Sequence, residues 1–425
     1  MLDKEIYRQY TGILEHELIE ATGCTEPIAL ALTGAIAWKY LPEAVQSAEV
    51  YCSGNIIKNV KGVTVPNSGN LKGIEAAVLI GMIAGDPEAN LQVIADVTDE
   101  QRRKLKEELK KDYVQVFLAE DVPSLYIRVR LKGSEHSSEV ILQGEHTDIT
   151  TIKADDQVIL DSKVKDNLSK MQFDKSLLNV RDILEYAETV DLETIRPILE
   201  RQVRDNEAIS NEGLKNCYGA QVGRTLMRYG QDVATRARAK AAAGSDARMN
   251  GCPMPVVINS GSGNQGITVS MPVLEYAREY QVGEEKLYRA LAISNLISIH
   301  QKQYIGPLSA YCGAVSAAGG AGCGIGWLLG YSYQQIVDVL TNTIASIGGM
   351  VCDGAKSSCA GKISLAVEAA LQGLKMAKTG NTYLAGEGLV KEESEDTIRA
   401  FGQMAKEGMR GTDEEILKLM LQKRC

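Results

Sequence analysis

Residues 311–320 read YCGAVSAAGG and residues 348–359 read GGMVCDGAKSSC, so the late part of the chain carries Cys312, Cys352 and Cys359 among glycines and alanines. Soft thiolates are common ligands of zinc and of iron–sulfur clusters, but the spacing of these cysteines matches neither a zinc ribbon nor a ferredoxin. Small buried cysteines are also common in helical cores. The residues alone therefore leave metal ligation and inert packing both open.

Composition limits the kinds of ligand this chain can bind. It has 425 residues, of which 44% are hydrophobic and 24% charged, and its formal net charge is −9. A chain of this length usually organises more than one hydrophobic core, so we expect two domains. Nucleic acids and anionic membranes attract concentrated lysine and arginine, which an acidic chain lacks. We expect a small-molecule ligand, with no nucleic acid and no membrane as partner.

The compartment is predicted from the amino terminus and the cysteines. The first twenty residues carry several charges, among them Asp3, Lys4, Glu5 and Arg8. This charged start does not fit a secretory signal peptide. The nine cysteines are then more simply free thiols and ligands than a disulfide framework. We expect a cytoplasmic protein in a reducing environment.

Hydrophobic periodicity divides the chain into three predicted parts. Residues 1–45 form two helices interrupted by GCTEP at residues 23–27. Residues 46–165 form an α+β domain, because apolar residues in 125–131 alternate with polar ones, as in a half-buried strand. Residues 166–425 are helical, since apolar residues recur at intervals of three and four. The predicted fold class is α+β, an all-helical domain plus a smaller domain of α/β-sandwich type, with the first part packing on the helical domain.

Two candidate residues lie in the GCTEP sequence. Pro27 suits the first turn of a helix, which places Cys24 beside the helix amino terminus. That position can lower a thiol pKa, although a packed, unreactive thiol is the alternative. Glu26 could orient a substrate ammonium group, or could simply favour the first helical turn electrostatically.

Small polar residues in turn-forming sequence are candidates for binding a carboxylate. Hydroxyl, amide and backbone donors in such turns can cradle an anion, but ordinary tight turns use the same residues. The run at 259–266 also superficially resembles a nucleotide-binding glycine loop, but it lacks the Gly-Lys-Ser/Thr ending of a phosphate loop. The candidates are Ser53, Gly54, Asn55, Asn67, Ser68, Ser260, Ser262 and Asn264.

Basic residues just before the first cysteine segment are further candidates. His300 and Lys302 could protonate a leaving group or hold a carboxylate, although a histidine at a helix end is more often a cap or a hydrogen-bonded core residue. Lys58 is a candidate for carboxylate contact, but exposed lysine is the common case. His146 has no metal-ligand spacing with the other histidines.

Four segments of the sequence resemble a known protein family. The segments 305–320 and 348–359, the GCTEP sequence, and SGNIIKNV at 53–60 leading into VPNSG at 65–69 resemble the iron–sulfur L-serine dehydratases. The closer similarity is to the L-cysteine desulfidase family, which shares that α-chain fold. The resemblance covers essentially the whole chain.

This resemblance implies a [4Fe-4S] cluster held by Cys312, Cys352 and Cys359, which makes the helical domain the cluster-binding domain. It implies an open fourth iron that acts as a Lewis acid on the leaving group of an amino acid, with no pyridoxal phosphate. The implied reaction is β-elimination of L-cysteine to hydrogen sulfide, pyruvate and ammonia. Cys24 would take the α-proton or cap the open iron, and Cys425 is a competitor for that iron.

Several alternatives stay open from the sequence. L-Serine dehydration on the same scaffold is the nearest one, and a non-catalytic sensor of cysteine or iron belongs to a different class. A zinc protein with the same thiols is a third. The sequence is compatible with a homodimer but does not fix the oligomeric state.

Overall fold

The computed structural model describes residues 2–162 and 173–422, where α-helices surround a six-stranded sheet and a separate pair of short strands. This architecture confirms the predicted α+β fold class. The three-part division of the chain remains a prediction, and its second boundary lies outside the described residues.

The chain begins with α1 (Lys4–Glu17), β1 (Glu20–Thr22) and α2 (Thr25–Lys39). Side chains on every face of α2 are buried, apart from those in its last turn. A helix that is apolar on all sides needs partners on all sides. Its amino terminus is therefore held firmly within the protein.

The large sheet comes next in the chain, and three helices lie between its first two strands in the sequence. Strand order is β3-β2-β4-β5-β6-β7, with β2 and β3 parallel and the other neighbours antiparallel. The predicted alternation is confirmed in β4, where Ile127, Val129 and Leu131 are buried and the residues between them are partly exposed. The elements are β2 (Ser47–Cys52), α3 (Gly54–Val60), α4 (Ile74–Ala84), α5 (Asp99–Leu109), β3 (Val114–Leu118), β4 (Tyr126–Lys132), β5 (Ser137–Gln143), β6 (Ile149–Ala154) and β7 (Gln157–Asp161).

The remaining described residues are almost entirely helical. They form α6 (Val180–Thr189), α7 (Leu192–Lys215), α8 (Val222–Tyr229), α9 (Val233–Met249), β8 (Pro255–Val257), α10 (Gly263–Glu279), α11 (Glu284–Ile305), α12 (Gly313–Leu328), α13 (Tyr333–Ile347), α14 (Cys359–Lys378), α15 (Ser394–Gln403) and α16 (Arg410–Leu421). Within residues 2–162 and 173–422, no helix is both long and apolar enough to cross a membrane.

Small residues let the central helices α11 and α12 approach closely. A Cβ atom added at Gly320 would lie 2.2 Å from the backbone oxygen of Ser294, and one at Gly324 would lie 2.6 Å from that of Ala290. Both separations are shorter than any real carbon–oxygen contact. The glycines are therefore required for this packing, which fixes where α12 begins.

The amino-terminal elements contact both the sheet and the helices. Helix α1 contacts α7 and α11, whereas α2 packs on α4 and on strands β4 and β5. Strand β1 pairs with β8, and the amide of Ile258 donates to the backbone oxygen of Ile19. This pairing brings the loop after β8 next to the start of α2, where several candidate residues lie.

Candidate active site

Four helices begin at one cavity of about 110 Å³. Cys24 precedes α2, Ser262 precedes α10, Cys312 precedes α12, and Cys359 is the first residue of α14. All four line the cavity, and within the described chain none of these helix starts has a side-chain cap. Uncapped amide groups and the positive ends of the helix dipoles favour an anionic ligand. The cavity is therefore suited to thiolates or a carboxylate.

A short backbone pairing brings two of the cysteines together. The amide of Cys312 donates to the oxygen of Met350 at 2.9 Å, and the amide of Cys352 donates to the oxygen of Ala310 at 2.6 Å. Tyr311 and Val351 form the bridge between these bonds. The start of α12 is thus tied to the loop that leads to α14.

The three thiols are close enough to influence one another. Burial, with smaller contributions from Cys352 and Cys359, raises the pKa of Cys312 to about 12. Burial also raises the pKa of Cys359, again with a contribution from Cys352. Metal binding at these residues has to displace protons, because thiolates are the ligands.

This donor set fits an iron–sulfur cluster with three protein ligands. Cys312 comes from the segment 305–320, Cys352 and Cys359 come from the segment 348–359, and all three line the same cavity. Among the described residues, no group of three or more His, Cys, Asp or Glu side chains is arranged to hold a metal ion. A four-iron cluster spreads its thiolate ligands over a wider volume than one ion does, and soft thiolates are its usual ligands.

The Glu26 carboxylate organises a second group of residues at the cavity. It accepts hydrogen bonds from Asn59 Nδ2 at 2.8 Å, from Cys24 Sγ at 3.0 Å and from Thr25 Oγ1 at 3.2 Å. Burial alone would raise its pKa, but attraction to the His146 ring when that ring is protonated in acid, the Cys24 hydrogen bond and the Arg248 charge outweigh burial and hold the pKa of Glu26 below its usual value. Glu26 is therefore an anion at neutral pH.

The expected lowering of the Cys24 thiol pKa is wrong. Burial raises the pKa of Cys24, and the neighbouring Glu26 carboxylate raises it further. The helix amino terminus cannot offset both effects. Cys24 is therefore a protonated hydrogen-bond donor to Glu26.

Buried polar atoms without a partner surround the same cavity. Within the described residues, two nitrogens of Arg248 and Nε2 of His146 lack a hydrogen-bond partner. The side-chain oxygens of Asn59, Asn264 and Gln265 lack one as well. All five residues line the cavity. Leaving buried polar groups without hydrogen bonds costs free energy. Several such groups around one cavity therefore indicate a polar ligand.

Arg248 and His146 contribute different groups to the cavity, a guanidinium and an imidazole. Arg248 is 2% exposed, and a Cβ atom at Gly263 would lie 2.4 Å from its Nε, so this glycine makes room for the guanidinium. Burial lowers the pKa of His146, against the opposing effect of Glu26. Its imidazole is therefore neutral and carries a free nitrogen.

Four of the predicted residues line the cavity from α10 and α11 or the loop before α10. Ser260 and Ser262 lie in the loop between β8 and α10, Asn264 lies in the first turn of α10, and Lys302 lies in the last turn of α11. Burial lowers the pKa of Lys302 to about 8, against the opposing effects of Cys352 and Cys312.

The remaining predicted residues are not among those that line the cavity in the described chain. Ser53 Oγ accepts from the Ile56 amide at the start of α3 and donates to the oxygen of Ser124. Asn67 Nδ2 donates to the backbone oxygen of Ile94, whereas Ser68 Oγ donates to the oxygen of Val65 in its own turn. Gly54 packs against Leu417. Asn55 Oδ1 is buried without a partner. These residues shape the loops around α3.

His300 also lies away from the cavity. It is fully buried, with Nε2 2.6 Å from Glu395 Oε2 and Nδ1 2.8 Å from Gln303 Nε2. Both ring nitrogens are thus engaged by neighbouring side chains. Its predicted catalytic role stays untested, and Cys425 lies outside the described residues.

The sequence analysis missed Asn59, His146, Arg248 and Gln265 as site residues. Asn59 lies in the segment 53–60 and Gln265 in the segment 259–266, where other residues were predicted to bind a carboxylate. Arg248 carried a usable signal, since it is a charged residue in a helix of alanines and other small residues. His146 carried no local signal, because only the fold brings its loop to the start of α2.

Comparisons with known proteins agree on a family. A family model described as serine dehydratase alpha chain matches residues 88–418. A protein of Lachnoclostridium phytofermentans named UPF0597 protein is 50% identical over 98% of this chain and 100% of its own length. Proteins with the same name from Treponema denticola and Finegoldia magna are 44% and 45% identical, over 99% and 98% of this chain and 99% and 100% of their own lengths.

Proposed function

The chain belongs to the serine dehydratase alpha-chain family, and on that premise we propose that it is an L-cysteine desulfidase. This lyase would eliminate sulfide from L-cysteine to give 2-aminoacrylate, which hydrolyses to pyruvate and ammonia. The observation that carries the proposal is one cavity lined by three cysteines and by buried polar groups that lack hydrogen-bond partners.

Cys312, Cys352 and Cys359 are the residues that would hold a [4Fe-4S] cluster. When bound, such a cluster supplies a Lewis-acidic iron for the sulfur that leaves the substrate. The protein contributes uncapped helix starts at Cys312 and Cys359, whose positive ends favour thiolates.

The polar groups of the cavity match a zwitterionic amino acid. Arg248 presents two free nitrogens, the fork that binds a carboxylate with two hydrogen bonds. Free side-chain oxygens on Asn59, Asn264 and Gln265 suit an ammonium group, and Glu26 adds a negative charge.

His146 is the favoured acceptor of the α-proton. Its imidazole is neutral, its Nε2 lacks a hydrogen-bond partner and the residue lines the cavity, whereas Cys24 is protonated and donates to Glu26. Removal of the proton leaves the Cα–H electron pair to form the Cα–Cβ double bond, and the C–S electron pair departs with sulfur. Lys302, which lines the same cavity, could then protonate the leaving sulfide.

L-Serine dehydration is the second candidate, because the matching family model is described by that substrate. The two activities are separated by assaying anaerobically reconstituted protein with each amino acid at matched concentrations. We expect equal amounts of pyruvate and sulfide from L-cysteine, and a kcat/KM for L-serine at least about tenfold lower. Pyruvate from L-serine alone would contradict the proposal in favour of the dehydratase, and binding without turnover would favour a sensor.

Arg248→Lys tests the carboxylate site. We expect KM for L-cysteine to rise about 10- to 100-fold, because lysine keeps the charge but loses the two-pronged geometry. The control is Arg236→Lys on the same helix, where Arg236 pairs with Glu275 and Glu279 away from the cavity. Equal KM values for the two variants would rule out this role for Arg248.

His146→Gln tests the proton acceptor. We expect kcat to fall about 10²- to 10⁴-fold with little change in KM, since glutamine fills the space but cannot take a proton. In the wild type, burial holds the pKa of His146 below its ordinary value of 6.5. The acid limb of the kcat profile should therefore lie below pH 6.5 and be absent from the variant. An unchanged acid limb would assign the proton to another group.

A further inference from the structure

Lys58 is a buried lysine beside the cysteine segments. Its side chain is only 1% exposed, whereas lysine side chains are commonly exposed. Its Nζ donates to the backbone oxygen of Cys352 at 3.3 Å and forms an ion pair with Asp413 of α16. Buried lysines need a paired charge, and here the pair comes from a helix more than 350 residues later.

Asp413 contacts one cysteine segment directly, at Ala310, and the other through Lys58. One carboxylate oxygen pairs with Lys58, and the other accepts a hydrogen bond from the amide of Ala310 at 2.8 Å. The oxygen of Ala310 in turn accepts from the amide of Cys352. These contacts form a closed ring through Asp413, Lys58, Cys352 and Ala310.

Helix α16 lies at the surface. None of its described residues is fully buried, and Ile416 and Leu417 are partly buried and pack against the core. Leu417 packs near Gly54, and Lys61 donates to the oxygen of Met420. The polar ring adds a charged link between α16 and the cysteine segments.

We propose that Lys58 and Asp413 are positioning residues that fix the separation of Cys312 and Cys352 for the iron–sulfur cluster, an inference that rests on the proposed function. Hydrogen bonds around metal ligands orient them and hold the metal. A buried ion pair adds little net stability compared with apolar side chains. The pair therefore serves ligand geometry rather than the fold.

Asp413→Asn tests this role, because it keeps the shape of the side chain and removes its charge. The matched control is Glu414→Gln, the same change of charge at the next, exposed residue. The readouts are iron and acid-labile sulfide per chain after anaerobic reconstitution, and the rate at which visible absorbance is lost to a chelator. We expect Asp413→Asn to lose its cluster at least about tenfold faster than the wild type and Glu414→Gln to match the wild type.

A double variant separates positioning from stability. Lys58→Met with Asp413→Leu leaves no unpaired buried charge, so the metal-free protein should keep its thermal midpoint. We expect the same rapid loss of the cluster. If both variants lose the cluster at the control rate, the positioning role is wrong. If the wild type takes up neither iron nor sulfide, the proposed function itself fails, and this inference fails with it.

Discussion

Two backbone hydrogen bonds between the segments around Cys312 and Cys352 are the constraint on which the site depends. They tie the start of α12 to the loop before α14. Close glycine packing of α12 on α11 and the bond from Ala310 to Asp413 fix the first segment, and Lys58 holds the second through the oxygen of Cys352. Together these contacts bring cysteines from distant parts of the chain to one cavity.

The cavity brings together two kinds of chemistry. Burial favours neutral thiols at Cys312 and Cys359 in the metal-free protein, so metal uptake is coupled to proton release. Glu26, in contrast, is an anion within hydrogen-bond reach of Asn59 and Cys24, and Arg248 has unpaired nitrogens. A site that keeps so many buried groups unpaired sacrifices stability that a bound ligand can restore.

The sequence predicted residues whose role follows from local pattern. The alternation in β4, the helix start at Cys24 and the polar loop containing Ser262 all lie where the pattern placed them. The pattern could not separate loops that line the cavity from those that only form turns, because Ser53 and Asn67 have the same side-chain chemistry as Ser260 and Asn264. It also could not find His146, Arg248 or the Lys58–Asp413 pair, since tertiary packing alone brings them together.

The most direct measurement is the iron and acid-labile sulfide content of anaerobically reconstituted wild type, Cys352→Ala and Cys217→Ala, where Cys217 is an exposed thiol that does not line the cavity. The account predicts about four iron and four sulfide per chain in the wild type and in Cys217→Ala, with both lost from Cys352→Ala. Equal iron in all three proteins would contradict it, because the metal would then lie elsewhere.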